Sequence, residues 1–123
     1  MTEAGLAECG RFARAHGLLV QSHVSENLDE VAWVKELFPA ARDYTDVYDR
    51  AGLLGPKTVL AHGIHLSDRE LGRLAETQTV IAHCPTSNLA LQSGRMPLDR
   101  YREAGVRWVL ATDVGAGPLV SQL

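Results

Sequence analysis

Short apolar runs of strand length alternate with amphipathic stretches along the chain, and each run stops at a group able to bind a metal or move a proton. Leu18 to His23, Thr58 to His62, Thr79 to Cys84 and Val106 to Thr112, the last followed by Asp113, read as four strands. Such near-continuous apolar runs mark parallel strands covered by helices, and in barrels of these strands the reactive side chains gather at the carboxyl ends.

Between the runs, the spacing predicts helices. Thr2 to His16 places Leu6, Cys9, Phe12 and Ala13 on one face, with Gly17 to end the helix and His16 favouring its C-terminus. Asn27 is positioned to cap a helix that buries Val31, Val34, Leu37 and Phe38, leaves Glu30, Lys35 and Glu36 in water, and closes at Pro39. Tyr44 to Ala51 reads as a third helix, with Thr45 or Asp46 as cap and Tyr48 as a packing residue. Ser67 and Glu70 form a capping box at the head of a helix over Asp68 to Thr77. Pro85 to Met96 reads as a long polar loop, and Pro97 to Ala104 as a short helix ended by Gly105.

This order, with crossovers long enough for parallel neighbours, predicts an α/β fold: a partial (β/α) barrel of about four parallel strands with connecting helices. Residues 1–123 are expected to form a single incomplete domain without a linker. A closed barrel has eight strands, so both ends read as cut, with a further helix expected at Ser121-Gln122-Leu123. Open strand edges at Leu18 to His23 and at Arg107 to Asp113 would then invite pairing, either in a homo-oligomer or with a complementing N-terminal half.

Composition narrows the function classes. A formal net charge of -3, with 22% charged and 46% hydrophobic residues, lacks the basic excess of a nucleic-acid binder. The apolar runs are far shorter than the roughly 20 residues that cross a bilayer, so neither nucleic acid nor membrane is expected as a partner. Two cysteines, Cys9 and Cys84, show no metal or redox spacing and fit free thiols in a reducing cytoplasm.

Two histidines and an aspartate at separate strand ends suit a hydrolytic zinc site. His23, His62 and Asp113 offer imidazoles and a carboxylate, with a coordination position left for water. Zinc lowers the pKa of such a water from about 16 to about 7. Glu26, three residues past His23, lies in the loop beyond the strand, where it could move protons between water and substrate. Its structural alternative is a carboxylate favouring a helix N-terminus. Asp113 is either a ligand or a cap for a following helix, while His62 and His65 can also serve as hydrogen-bonding neighbours of a metal ligand. His65 reads as a loop residue, and His83 can line a pocket with Asn88. Cys84 and His83 make a poor nucleophile–base pair, because adjacent strand residues face opposite ways. The H-x-E with P-C-x-x-C zinc signature is absent, as are a P-loop and a dinucleotide glycine motif.

Five stretches carry a resemblance: His23-Val24-Ser25-Glu26-Asn27-Leu28-Asp29-Glu30-Val31, Tyr44-Thr45-Asp46-Val47-Tyr48, Ala61-His62-Gly63-Ile64-His65-Leu66, His83-Cys84-Pro85-Thr86-Ser87-Asn88-Leu89 and Thr112-Asp113-Val114-Gly115. Over nearly its whole length the chain resembles the guanine deaminases of the amidohydrolase superfamily. The resemblance implies the second half of a TIM-like barrel, strands five to eight, and zinc-dependent hydrolytic deamination of guanine to xanthine and ammonia. It implies that His23, His62 and Asp113 hold one zinc ion, that Asp113 and Glu26 carry protons, that His62 binds the metal or stabilises the nucleophile, and that His23, Glu26 and Asp113 line the purine site.

The family also takes two zinc ligands from an H-x-H pair on its first strand, and no such pair occurs here; His62 and His65 are spaced H-x-x-H. The isolated chain is therefore expected to be incomplete and to hold zinc weakly. Val109 and Ala111 stand where many relatives are expected to carry glycine, which would tighten the interior beside Asp113. Two other readings remain: a deaminase or hydrolase of another aminated heterocycle, and an inactive half barrel that self-associates without metal.

Overall fold

The structure, a computed structural model, describes residues 1–118. The helix expected at Ser121-Gln122-Leu123 lies outside the described residues. Helices and strands alternate: α1 (Glu3–His16), β1 (Val20–Val24), α2 (Leu28–Leu37), α3 (Tyr44–Arg50), β2 (Thr58–His62), α4 (Asp68–Thr77), β3 (Val80–His83), α5 (Pro85–Ala90), α6 (Leu98–Ala104) and β4 (Arg107–Leu110). The strands form one parallel sheet in the order β1-β2-β3-β4, with the edges at β1 and β4 unpaired among the described residues. This is the arrangement of a partial barrel.

Local chemistry fixes the elements. Thr2 caps α1, and Gly17 ends it in a left-handed conformation, donating its N–H to the carbonyls of Ala13 and Arg14. Leu18 N–H also returns to the Ala13 carbonyl, so Leu18 completes the helix end and the ladder begins only where Val20 N–H meets the Lys57 carbonyl. The first strand is accordingly two residues shorter at its start than the apolar run suggests, and Leu19 is exposed. In α4 the expected capping box is present: Glu70 accepts from the Ser67 backbone and hydroxyl, both at 2.8 Å, and its other oxygen accepts the Thr45 N–H at 3.2 Å. One buried carboxylate thus ties α4 to α3.

Several expectations are corrected. Cys9 and Phe12 are exposed on α1, where Gly10 is the buried residue, because the chain there lies against the Ala51 carbonyl and leaves no room for a side chain. No residue of α2 is buried, and Leu37 is exposed; Glu30 turns inward to complete a capping box with Asn27 and to accept from the Tyr44 hydroxyl at 2.8 Å. Asp43, rather than Thr45 or Asp46, caps α3. The strand β4 ends at Leu110.

The core lies between the sheet and its helices. Leu60 and Ile81, paired across β2 and β3, are buried with Leu71 and Leu74 of α4 and Tyr101 of α6. Tyr101 is wholly buried, and its hydroxyl donates to the Gly63 carbonyl at 2.5 Å, just past the end of β2. Burial raises the phenol's pKa, which keeps it a donor. Gly63 adopts φ 60°, and a Cβ there would meet the Tyr101 hydroxyl, so both the backbone and the contact require glycine. Removing the hydroxyl in Tyr101→Phe is expected to cost about 1–2 kcal/mol, read as a lower urea midpoint; an unchanged midpoint would mean that this bond adds nothing to stability.

Candidate active site

The carboxyl ends of β1 and β2 are laced together. Gly63 N–H donates to the Val24 carbonyl, and the N–H groups of Ile64 and His65 both donate to the Ser25 carbonyl, at 2.9, 3.0 and 3.1 Å. Tyr48, expected only to pack, braces β1 from α3: its hydroxyl donates to the His23 carbonyl at 2.8 Å and lies 2.9 Å from Ser22 Oγ.

His23 pairs with Ala61 and Val24 with His62 in the ladder. Regular alternation would put His62 on the face of Val24, away from His23. His62 instead takes a left-handed φ of 71°, leaving the alternation, and the two imidazoles stack with ring centres 5.3 Å apart. Asp113, at φ 54°, is also left-handed. Non-glycine residues held there cost about 1–3 kcal/mol each and cluster at functional sites. The turn at Asp113 is closed by Gly117, whose N–H donates to the Asp113 carbonyl at 2.6 Å; a side chain at Gly117 would strike the Thr112 and Asp113 carbonyls.

These turns bring one ligand atom from each of His23, His62 and Asp113 to within 4.8 Å of one another. Glu26 Oε2 lies 3.6 Å from His62 Nε2, beyond hydrogen-bond distance but at the same spot. His62 is nearly fully buried, while Glu26 is one-fifth exposed, an arrangement of one inner imidazole with a carboxylate at the solvent side. Two imidazoles and a carboxylate are the donor set that zinc accepts in hydrolytic sites, and their convergence from the ends of β1 and β2 and the turn after β4 fits such an ion.

The other candidates fall elsewhere. His65 Nε2 lies 2.9 Å from the Ser93 carbonyl, a loop contact as expected. His83 meets Trp108 edge-on at 6.0 Å, and burial lowers its pKa. It does line a cavity with Asn88, of about 300 Å³. Burial is the main cause that pushes the Cys84 thiol up, with the Asp113 charge adding to it, so Cys84 is a poor nucleophile. His16 packs on Phe12 at the surface of α1.

The residues the sequence did not reveal are those holding the cluster. Pro85 to Ala90 is a helix, not the expected loop: Pro85 starts it, and Asn88 N–H donates to the Cys84 carbonyl at 2.9 Å. From this helix Ser87 Oγ donates to Asp113 Oδ2 at 2.6 Å, and Asn88 Oδ1 lies 2.9 Å from His62 Nδ1. Beyond it, Ser93 Oγ donates to Glu26 Oε1 at 3.2 Å. The available signal was proline at a helix's first position directly after a strand.

Residues 1–121 match the amidohydrolase family. Guanine deaminase from Mus musculus is 46% identical over 122 residues, covering 99% of this chain and 27% of the relative. A guanine deaminase from C. acetobutylicum, with guanine bound in its active site, superposes with a TM-score of 0.91 at 42% identity, over 95% of this chain and 28% of its own. An adenosine deaminase from Xanthomonas campestris with bound zinc gives 0.86 at 27% identity, over 95% and 26%. The chain thus spans about a quarter of the length of these relatives.

A zinc titration of the Cys9→Ser chain, which removes the exposed thiol, is expected to show a single binding event. His62→Ala and Asp113→Ala should each weaken it by more than the roughly 10- to 100-fold typical of a ligand's supporting partners. Equal affinity in both variants would place zinc elsewhere.

Proposed function

The chain belongs to the amidohydrolase family, and on that premise we propose that it supplies the second half of a guanine deaminase barrel. The observation that carries this reading is the convergence of His23, His62 and Asp113 with Glu26 beside them. Its substrate side rests on similarity to guanine deaminases, one with guanine bound. The two further zinc donors come from a first-strand H-x-H pair on a complementing N-terminal half or a partner chain, which joins at the exposed edges of β1 and β4. The exposed side chains of Trp108, Val109 and Leu110 support such a junction. The free thiols Cys9 and Cys84 support a reducing, cytoplasmic setting. Among the described residues no helix is long and apolar enough to cross a membrane.

His23, His62 and Asp113 hold one zinc ion in this reading. When bound, zinc supplies Lewis-acid activation of water at neutral pH. Asp113, with one oxygen fixed by Ser87, accepts a proton from the attacking water. His62 steadies the nucleophile from the buried side. Glu26 delivers a proton to the purine ring nitrogen as the water oxygen adds to the amine-bearing carbon. The proton held by Asp113 then passes to the amino group, which leaves as ammonia, while the new hydroxyl returns a proton to Glu26 and the ring becomes xanthine. Ser93 keeps Glu26 turned toward the cluster.

The test is a chimera in which this chain replaces the matching segment of the C. acetobutylicum enzyme. Ammonia release from guanine is expected, with little from adenine, cytosine or aminotriazines, and Glu26→Gln should lower kcat by about 10²-fold or more. Turnover of another heterocycle in preference to guanine would overturn the substrate. Turnover of guanine unaffected by Glu26→Gln would overturn the mechanism.

A further inference from the structure

We propose that Asn88 and Ser87 are positioning residues that fix the chemical form of the cluster: Asn88 locks His62 in the Nδ1–H tautomer, and Ser87 orients Asp113. The inference rests on the proposed role of His62 and Asp113, but its consequences are visible without substrate or metal.

Neutral imidazole carries its proton on one nitrogen and a lone pair on the other, and the partner of one nitrogen decides the character of both. Asn88 Oδ1, 2.9 Å from His62 Nδ1, can only accept, so Nδ1 carries the hydrogen. Nε2 is then left with its lone pair, and it is the nitrogen beside Glu26. A reversed amide would donate to Nδ1, move the hydrogen to Nε2 and remove that lone pair. Both Asn88 and Ser87 are wholly buried, so water cannot substitute for either contact. They are consecutive residues of α5, whose start is set by Pro85 and by the Asn88 N–H to Cys84 carbonyl bond. One short helix therefore holds two residues from two different strand ends in fixed relation. Among the described residues the Asn88 Nδ2 group has no partner, and the carbonyl contact with His62 is the hydrogen bond its side chain makes.

The experiment is a long-range proton–nitrogen correlation on the metal-free chain labelled with ¹⁵N-histidine, with His62 assigned by loss of its signals in His62→Gln. His62 is expected to show a protonated Nδ1 and a bare Nε2. Asn88→Asp, which keeps an acceptor in place, should keep Nδ1 protonated, while Asn88→Leu should shift the ring toward the Nε2–H form. Zinc affinity should fall about 10- to 100-fold in Asn88→Leu and in Ser87→Ala, with the His62 tautomer unchanged in the latter. A His62 that carries its hydrogen on Nε2 and is bare at Nδ1, in the native chain or in Asn88→Asp, would overturn the proposal. So would a native pattern in Asn88→Leu, and where that variant does not fold the other two still decide. Failure of guanine turnover in the chimera would leave all these readings standing, so the two claims fail separately.

Discussion

The parallel register of β1 on β2 is the constraint on which the rest depends. Pairing His23 with Ala61 and Val24 with His62 brings two histidines from distant parts of the chain to the same end of the sheet. Register alone would aim them at opposite faces. The left-handed backbone at His62 re-aims the second ring, and hydrogen bonds from Gly63 to Val24 at the end of β1, and from Ile64 and His65 to Ser25 just beyond it, hold that turn closed. The Tyr101 hydroxyl on the Gly63 carbonyl carries the same geometry down to the core, so the strain at His62 rests on a buried, close-packed support.

A second layer makes the cluster specific. Parallel strands end in loops that could wander, and here α5 prevents it for two of them, with Ser93 doing the same for Glu26. His62, Ser87 and Asn88 are buried and directed, so this part of the site is set before any ligand arrives. Such preorganisation is what electrostatic catalysis requires, because the dipoles need not reorient during the reaction. The sheet edges are more open: every residue of β4 is exposed, and His23 itself is exposed on the outer strand β1.

Much of this was legible in the sequence because apolar runs report burial and their ends report chemistry. His23, His62 and Asp113, which the structure brings together, could be named for that reason, and Ser67 with Glu70 could be read as a cap because three-residue spacing has one strong local meaning. What failed had non-local causes. Leu18 looked like strand but is held by the end of α1, and Phe12 and Leu37 looked like core but lie on exposed helix faces. Helix α5 was hidden because Thr86, Ser87 and Asn88 have the composition of a loop, and only the turn begun by Pro85 makes them helical. Asn88 and Ser87 could not be matched to His62 and Asp113 from spacing, since the partners lie 26 residues away in each case.

X-ray absorption at the zinc edge of the loaded chain tests the central claim most directly, because it reads the donor atoms themselves. Nitrogen and oxygen neighbours at about 2.0–2.1 Å, with the outer scattering of two imidazoles, are expected. A sulfur neighbour at about 2.3 Å, or a shell without imidazole, would contradict it, for zinc would then be held by a thiolate or a surface carboxylate and not by His23, His62 and Asp113.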